Sequence, residues 1–209
     1  FFITFPWTLS AGYFPLLLRI AQEMRRKSPL LIAIDGRCGS GKTQLAALLQ
    51  ALFPCRVFHT DHYYLPIARR SADWREQPAG NMDLERLWTE VIQPARAGEM
   101  VYQRIFDCAA QRLKEAQAVA PAPLTVVEGS YCLHPKLADA YDLRIFLACS
   151  DDEQKTRLQA REGTYFEMFE RVWIPMERLY HAKCDPLSYH PIEMDTSAFF
   201  RKSFDTLSL

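Results

Sequence analysis

Residues Gly36-Arg37-Cys38-Gly39-Ser40-Gly41-Lys42-Thr43 follow the spacing G-x-x-x-x-G-K-[ST], and no other segment constrains the chain as strongly. The apolar, partly β-branched run Leu30-Leu31-Ile32-Ala33-Ile34-Asp35 before it reads as a buried parallel strand. The run from Gln44 to Phe53 after it is rich in Ala and Leu and stops at Pro54, as a helix does. A chance glycine-rich turn would lack both flanks. Glycines let successive N–H groups curl around an anion, and the helix N-terminus adds partial positive charge at the same place. The loop therefore predicts a bound nucleoside triphosphate, cradled by residues 36–43. Lys42 is expected on the β and γ phosphates and the Thr43 hydroxyl on a bridging Mg²⁺.

The chain has 209 residues, of which 49% are hydrophobic, enough for one α/β domain but not for a second full one. Lys plus Arg and Asp plus Glu both total 25, so net charge points to no nucleic-acid partner. Six cysteines stand without CxxC pairs or metal-ligand spacing, as reduced thiols in a cytoplasmic protein do. The uncharged start contains Phe1, Phe2, Ile3, Phe5 and Trp7, but Pro6, Gly12 and Pro15 interrupt it and no basic segment precedes it. Neither a signal peptide nor a membrane span is expected. From Pro15 to Lys27 the spacing of Leu16, Leu17, Ile20 and Met24 predicts an amphipathic helix. The first residue is not Met, which leaves the true start open.

Three further strand candidates run into polar residues. Cys55 to His59 leads to Asp61, Leu124 to Val127 leads to Glu128, and Leu143 to Ala148 leads to Asp151 and Asp152. This order predicts a doubly wound α/β sheet, in which ligands collect at the carboxyl ends of the strands. Asp61 and Glu128 then stand beside the phosphate loop, where phosphoryl transfer needs a base and a metal-side carboxylate. An Asp in the position of Asp61 can also act only as a helix N-cap, and Asp83 before Leu84, Leu87 and Val91 has the same alternative.

Taken in order, the loop, His59-Thr60-Asp61-His62-Tyr63-Tyr64-Leu65-Pro66, Ala79-Gly80-Asn81-Met82-Asp83-Leu84-Glu85-Arg86, Val127-Glu128-Gly129-Ser130-Tyr131 and Glu170-Arg171-Val172-Trp173-Ile174-Pro175-Met176-Glu177 resemble the uridine kinase and phosphoribulokinase branch of P-loop kinases. The likeness is strongest to the bacterial uridine kinase-like proteins and runs nearly the full length. It implies that Asp61 takes the acceptor hydroxyl's proton, Glu128 supports Mg²⁺ and Asp83 holds acceptor hydroxyls. Such kinases also place arginines on a lid after the fourth strand. Arg157 and Arg161 share one face of a helix over 152–162 that Gly163 ends, and Arg161 is the preferred candidate. Pairing with Glu153 and Glu162 on a solvated face would account for either alone.

The acceptor side departs from the resemblance. Where uridine kinases carry a Tyr-Asp-Phe run and a histidine for the pyrimidine, this chain has Phe106-Asp107-Cys108 followed by Ala109-Ala110-Gln111. A pyrimidine would lose hydrogen-bond partners there, which argues against uridine. Tyr102, Arg104 and Asp107 are the candidate substrate residues, although an exposed hairpin would explain them equally.

The expected fold is a P-loop NTPase three-layer sandwich with a mostly parallel, doubly wound sheet of about five strands. It forms a single kinase domain over 1–209, with an N-terminal extension and helix over 1–28, an acceptor-binding insertion over 76–118 and a lid and helix over 152–180. The expected function is ATP- and Mg²⁺-dependent transfer of a phosphoryl group to a hydroxyl of a nucleoside-like or other small metabolite, with a homo-oligomer compatible. The alternatives are a GTPase and an inactive nucleotide-binding regulator. Ala182-Lys183-Cys184-Asp185 matches a guanine-reading N/T-K-x-D motif only at Lys and Asp, and no D-x-x-G follows the third strand. No assignment follows for His190, Phe199, Phe200 or the rest of 185–209.

Overall fold

The computed structural model describes residues 7–199; the readings of Phe1 to Pro6 and of Phe200 lie outside them. Strand β1 (Leu30–Gly36) is buried along its whole length. Its side chains alternate between two cores, as a strand's period of two requires. Leu30, Ile32 and Ile34 meet Tyr13, Leu16 and Ile20 of helix α1 (Trp7–Arg26) and Leu45 and Leu49 of helix α2 (Lys42–Leu52). Leu31 and Ala33 face the opposite core, which holds Leu87, Val91, Ala95 and Tyr180 from later helices. Fully burying each of these larger apolar side chains contributes roughly 1.5–3 kcal/mol, so a strand like β1 anchors both layers.

Beyond α2 come β2 (Cys55–His59) and α3, which spans 84–96 with a wide π turn over Trp88–Ile92. Strands β3 (Val101–Gln103) and β6 (Gln117–Val119) pair antiparallel and enclose a second small pair, β4 (Phe106–Asp107) with β5 (Arg112–Leu113). The main sheet resumes with β7 (Leu124–Glu128) and β8 (Leu143–Ala148). Helix α4 (Asp151–Glu162) and a helical run α5 over 166–184 follow, with a π turn over Phe169–Trp173. Strand β9 (Ile192–Asp195) ends the sheet.

The sheet order is β2-β7-β1-β8-β9 and every pairing is parallel. This is the three-layer, doubly wound arrangement expected from the strand pattern. Because the chain runs from β1 to β2 on one side and later to β8 on the other, the crevice at the carboxyl end of β1 is a topological switch point.

Three details depart from the expectations. Helix α1 begins well before Pro15 and carries that proline in its interior, because the buried stripe Tyr13, Leu16, Ile20 already starts upstream of it. Helix α4 starts one residue earlier than expected: Ser150 caps it by accepting the Glu153 N–H, and Asp151, Asp152 and Glu153 fill its first turn. The tail after α5, unassigned from sequence, supplies β9, and the Phe199 ring packs edge-on against Tyr13 with centroids 5.1 Å apart.

All six cysteines are free thiols, and burial pushes Cys38 and Cys55 up to about 12. No helix among the described residues is long and apolar enough to cross a membrane.

Two glycines make a testable contrast. Gly36 has φ +136°, and a Cβ there would lie 2.1 Å from the Leu147 carbonyl oxygen on β8. Gly163 has φ +57° with open space around it. Gly163→Ala should cost about 1 kcal/mol in urea unfolding, whereas Gly36→Ala should cost several times as much because two strand backbones must part.

Candidate active site

Strand β1 delivers Gly36 at the switch point, and the loop then turns through Gly39 (φ +74°) and Gly41 (φ +96°) into α2. Helix α2 has no acidic residue in its first turn and no side-chain cap on Gly41. Its terminal N–H groups are therefore left for an anion, in contrast to the capped, acid-rich start of α4. Lys42 is buried, and its Nζ donates to the Gly36 and Arg37 carbonyls, both at 2.9 Å. An ammonium has three donors, so one remains for a phosphate oxygen.

At the ends of β7 and β2, which pair in register at His59 and Glu128, the Glu128 carboxylate is 4% exposed. It accepts from Thr43 Oγ1 at 3.1 Å and lies 2.5 Å from His59 Nδ1. That hydrogen bond is the main force raising the pKa of His59. The hydroxyl and carboxylate oxygens of Thr43 and Glu128 form the donor pair that suits Mg²⁺, a hard cation that takes one or two protein oxygens and completes its shell with phosphates and water. No group of three or more His, Cys, Asp or Glu residues among the described ones could hold a metal ion.

Asp61 stands in a 3₁₀ turn (Thr60–His62) directly after β2, where its carboxylate accepts from the Tyr64 hydroxyl at 2.9 Å. Lys42, Thr43, Asp61, Glu128 and Arg161 line one cavity of about 510 Å³, together with Cys38, Gly39 and Gly41 of the loop. Phe169 and Trp173 from the π turn of α5 form part of its wall. Arg161 lies over the Phe169 ring, 5.7 Å from its centroid, and pairs with Glu162 at 2.6 Å. Arg157 lines the same cavity and also braces the loop, donating to the Gly39 carbonyl at 3.2 Å and the Thr196 carbonyl at 2.7 Å.

The acceptor candidates divide. Asp83 and Arg104 line a second cavity of about 400 Å³, and Tyr64 borders both cavities. Asp83 also caps α3 by accepting the Arg86 N–H at 3.1 Å, so its cap role is realised beside its position in the cavity. Tyr102 and Asp107 reach neither cavity, contrary to the expectation of one polar acceptor cluster. Tyr102 is 60% exposed on β3, and the Asp107 carboxylate accepts from the N–H groups of Ala109 and Ala110, holding the turn between β4 and β5. Lys183 and Asp185 of the partial guanine motif lie at the end of α5, where Lys183 donates to the Glu76 carbonyl and Asp185 caps the helix.

Two buried carboxylates escaped the sequence reading. Glu177 of α5, 2% exposed, accepts from the Cys38 N–H at 2.5 Å, Arg37 Nε at 3.2 Å and Gln154 Nε2 at 3.1 Å. Arg37 further binds the Cys149 carbonyl at 2.8 Å and Asp151 at 2.5 Å. Asp35 is fully buried and accepts from the Gly36 N–H, the Leu133 N–H and the Tyr180 hydroxyl, each at 2.7 Å. Burial raises its pKa against the opposing pull of those donors and of Lys42. The sequence signal of Asp35 is a charged residue ending a run that otherwise reads as core, and that of Glu177 is its place at the end of the segment Glu170 to Glu177.

No family model matches the chain. A uridine kinase of Streptococcus mutans is 24% identical over 176 residues, covering 77% of this chain and 83% of that protein. A nicotinamide riboside kinase of Schizosaccharomyces pombe is 28% identical over 160 residues, covering 67% and 69%. Among solved structures, a possible uridine kinase from Bacillus stearothermophilus superposes with a TM-score of 0.62 at 20% identity, over 87% of this chain and all of that one. The fold is that of P-loop kinases, and the proteins the chain resembles are kinases of small molecules. Among such proteins the likeness is to uridine kinases and a nicotinamide riboside kinase.

Glu177 gives the test of this scaffold. Glu177→Ala removes the buried acceptor of the Cys38 N–H, Arg37 Nε and Gln154 Nε2, and should lower unfolding free energy by about 3 kcal/mol in urea titration. Glu177→Gln, which keeps an acceptor, should lose less.

Proposed function

We propose that the chain transfers the γ-phosphoryl group of ATP to a hydroxyl of a nucleoside-like or other small metabolite, with Asp61 as the base. The observation that carries this reading is Asp61 itself. It opens onto the same cavity as Lys42, Thr43 and Glu128, and it is oriented by Tyr64 rather than used up as a helix cap.

The backbone N–H groups of the loop and the start of α2 hold the phosphates, and Lys42 adds a fixed positive charge as negative charge moves toward the leaving oxygen. Thr43 and Glu128 would hold Mg²⁺, which would supply charge neutralisation to the phosphates. Asp61 accepts the acceptor's proton late in a loose transition state, so its position matters more than a raised pKa. Arg161 reaches the cavity from α4 and supplies a cation that can settle on the migrating group. The sequence at Phe106-Asp107-Cys108, with Asp107 held in its own turn, supports an acceptor other than uridine.

A phosphotransfer screen across nucleosides, sugars and hydroxylated vitamins with ATP and Mg²⁺ tests the reading through ADP release. With an acceptor in hand, Asp61→Asn should lower kcat by about 10²–10⁴-fold while ATP still raises the melting temperature. Loss of that ATP-dependent shift would instead assign Asp61 to nucleotide binding. Glu128→Gln should weaken ATP binding with Mg²⁺ present and leave binding in EDTA nearly unchanged, as measured by calorimetry.

A further inference from the structure

The second cavity has a chemistry that the hydroxyl-transfer reading does not require. Four arginines line it, Arg69, Arg86, Arg104 and Arg112, against two carboxylates, Asp83 and Glu85. They differ in how far they are committed. Arg86 is 8% exposed, donates to the His62 carbonyl and lies over the Tyr63 ring at 4.4 Å. Arg104 is held by Glu90, with Nε and Nη2 at 2.8 and 2.6 Å from the same carboxylate oxygen. Arg69 makes only a long 3.8 Å approach to Asp83 and is 68% exposed, and Arg112 stands exposed on the short strand β5. Two guanidinium groups thus stay available at the rim of a cavity whose floor is already fixed by two others.

The cavity is also placed to share a ligand with the reaction centre. Tyr64 borders both cavities and donates to Asp61, so a molecule presenting a hydroxyl to Asp61 extends past the Tyr64 ring toward the arginines. Asp83 and Glu90 answer Arg86 and Arg104, so a neutral acceptor would leave Arg112 and the loosely held Arg69 without a close anionic partner. A carboxylate or phosphate matches the planar, forked donors of arginine in geometry as well as charge.

We propose that the cavity lined by Arg69, Asp83, Arg104 and Arg112 takes the anionic end of the acceptor, making the substrate a hydroxyl compound that carries a carboxylate or a phosphate. The proposal rests on the kinase reading above. Asp83 holds hydroxyls of the acceptor's middle, and Arg69 and Arg112 close on its charged group.

The experiment measures kcat/KM with ATP and Mg²⁺ for acceptor pairs that differ only in charge, glycerol against glycerate and ribose against ribose 5-phosphate. The two pairs also distinguish carboxylate from phosphate. In at least one pair the anionic member should be preferred about tenfold or more. The double variant Arg69→Gln, Arg112→Gln should raise KM for that member about tenfold with little change in kcat, the size of a lost charged hydrogen bond. ATP-dependent stabilisation and the melting temperature of the double variant should match the parent's, which separates lost recognition from misfolding. Turnover of neutral members alone, or an unchanged KM in the variant, overturns this proposal and leaves the kinase reading standing. Absence of ADP release with every acceptor overturns both.

Discussion

A carboxylate without access to water holds the site together. Asp35 ends the apolar run of β1 and accepts three hydrogen bonds, from the loop's first N–H, from Leu133 beyond β7 and from Tyr180 on α5. Burial of such a group without these donors would cost several kcal/mol, so the three elements are fixed relative to one another wherever the fold is intact. The phosphate loop therefore does not rest on its glycines alone. Its start is pinned to the sheet and to both segments that contribute walls to the cavity.

The far side of the loop is braced by a second network of opposite logic. Arg37 and Cys38 reach the Glu177 carboxylate on α5, and Gln154 of α4 joins the same oxygens. Arg157 adds a tie from α4 to Gly39 and to Thr196. Helices α4 and α5, which carry Arg161, Phe169 and Trp173 to the cavity, are thus tied to the nucleotide loop through buried polar contacts. Movement of the helices and movement of the loop are mechanically linked.

The parts legible in the sequence were those whose chemistry is local. Strands β1, β7 and β8 are long apolar runs covered on both faces, and the loop's spacing carries its own mechanism. Helix α4 was legible in the i, i+4 spacing of Arg157 and Arg161 and in the terminal Gly163, while its Ser150 cap sets the start one residue earlier than that pattern does. Strand β9 did not, because it is four residues long, has a single neighbour and alternates in exposure at the sheet's edge. Arg37 and Glu177 are separated by 140 positions, so no local pattern could pair them. The acceptor side was half legible: Asp83 and Arg104 line a cavity, whereas Tyr102 and Asp107 do not. Residue type alone does not say which face of a hairpin looks inward or whether an Asp is needed by its own turn.

Strand β9 has a consequence for how this chain behaves among its copies. Strand β8 is a six-residue run with the sequence LRIFLA, and left bare it would offer an apolar row of unpaired N–H and C=O groups to any passing strand. In its place the sheet presents β9, which is short and carries Glu193 and Asp195 on its exposed positions. Thr196 directly after it donates to the Ser40 carbonyl inside the phosphate loop. The same few residues that steady the phosphate loop also cover the β8 edge of the sheet, so the shape of the loop and the closure of that edge share one point of failure.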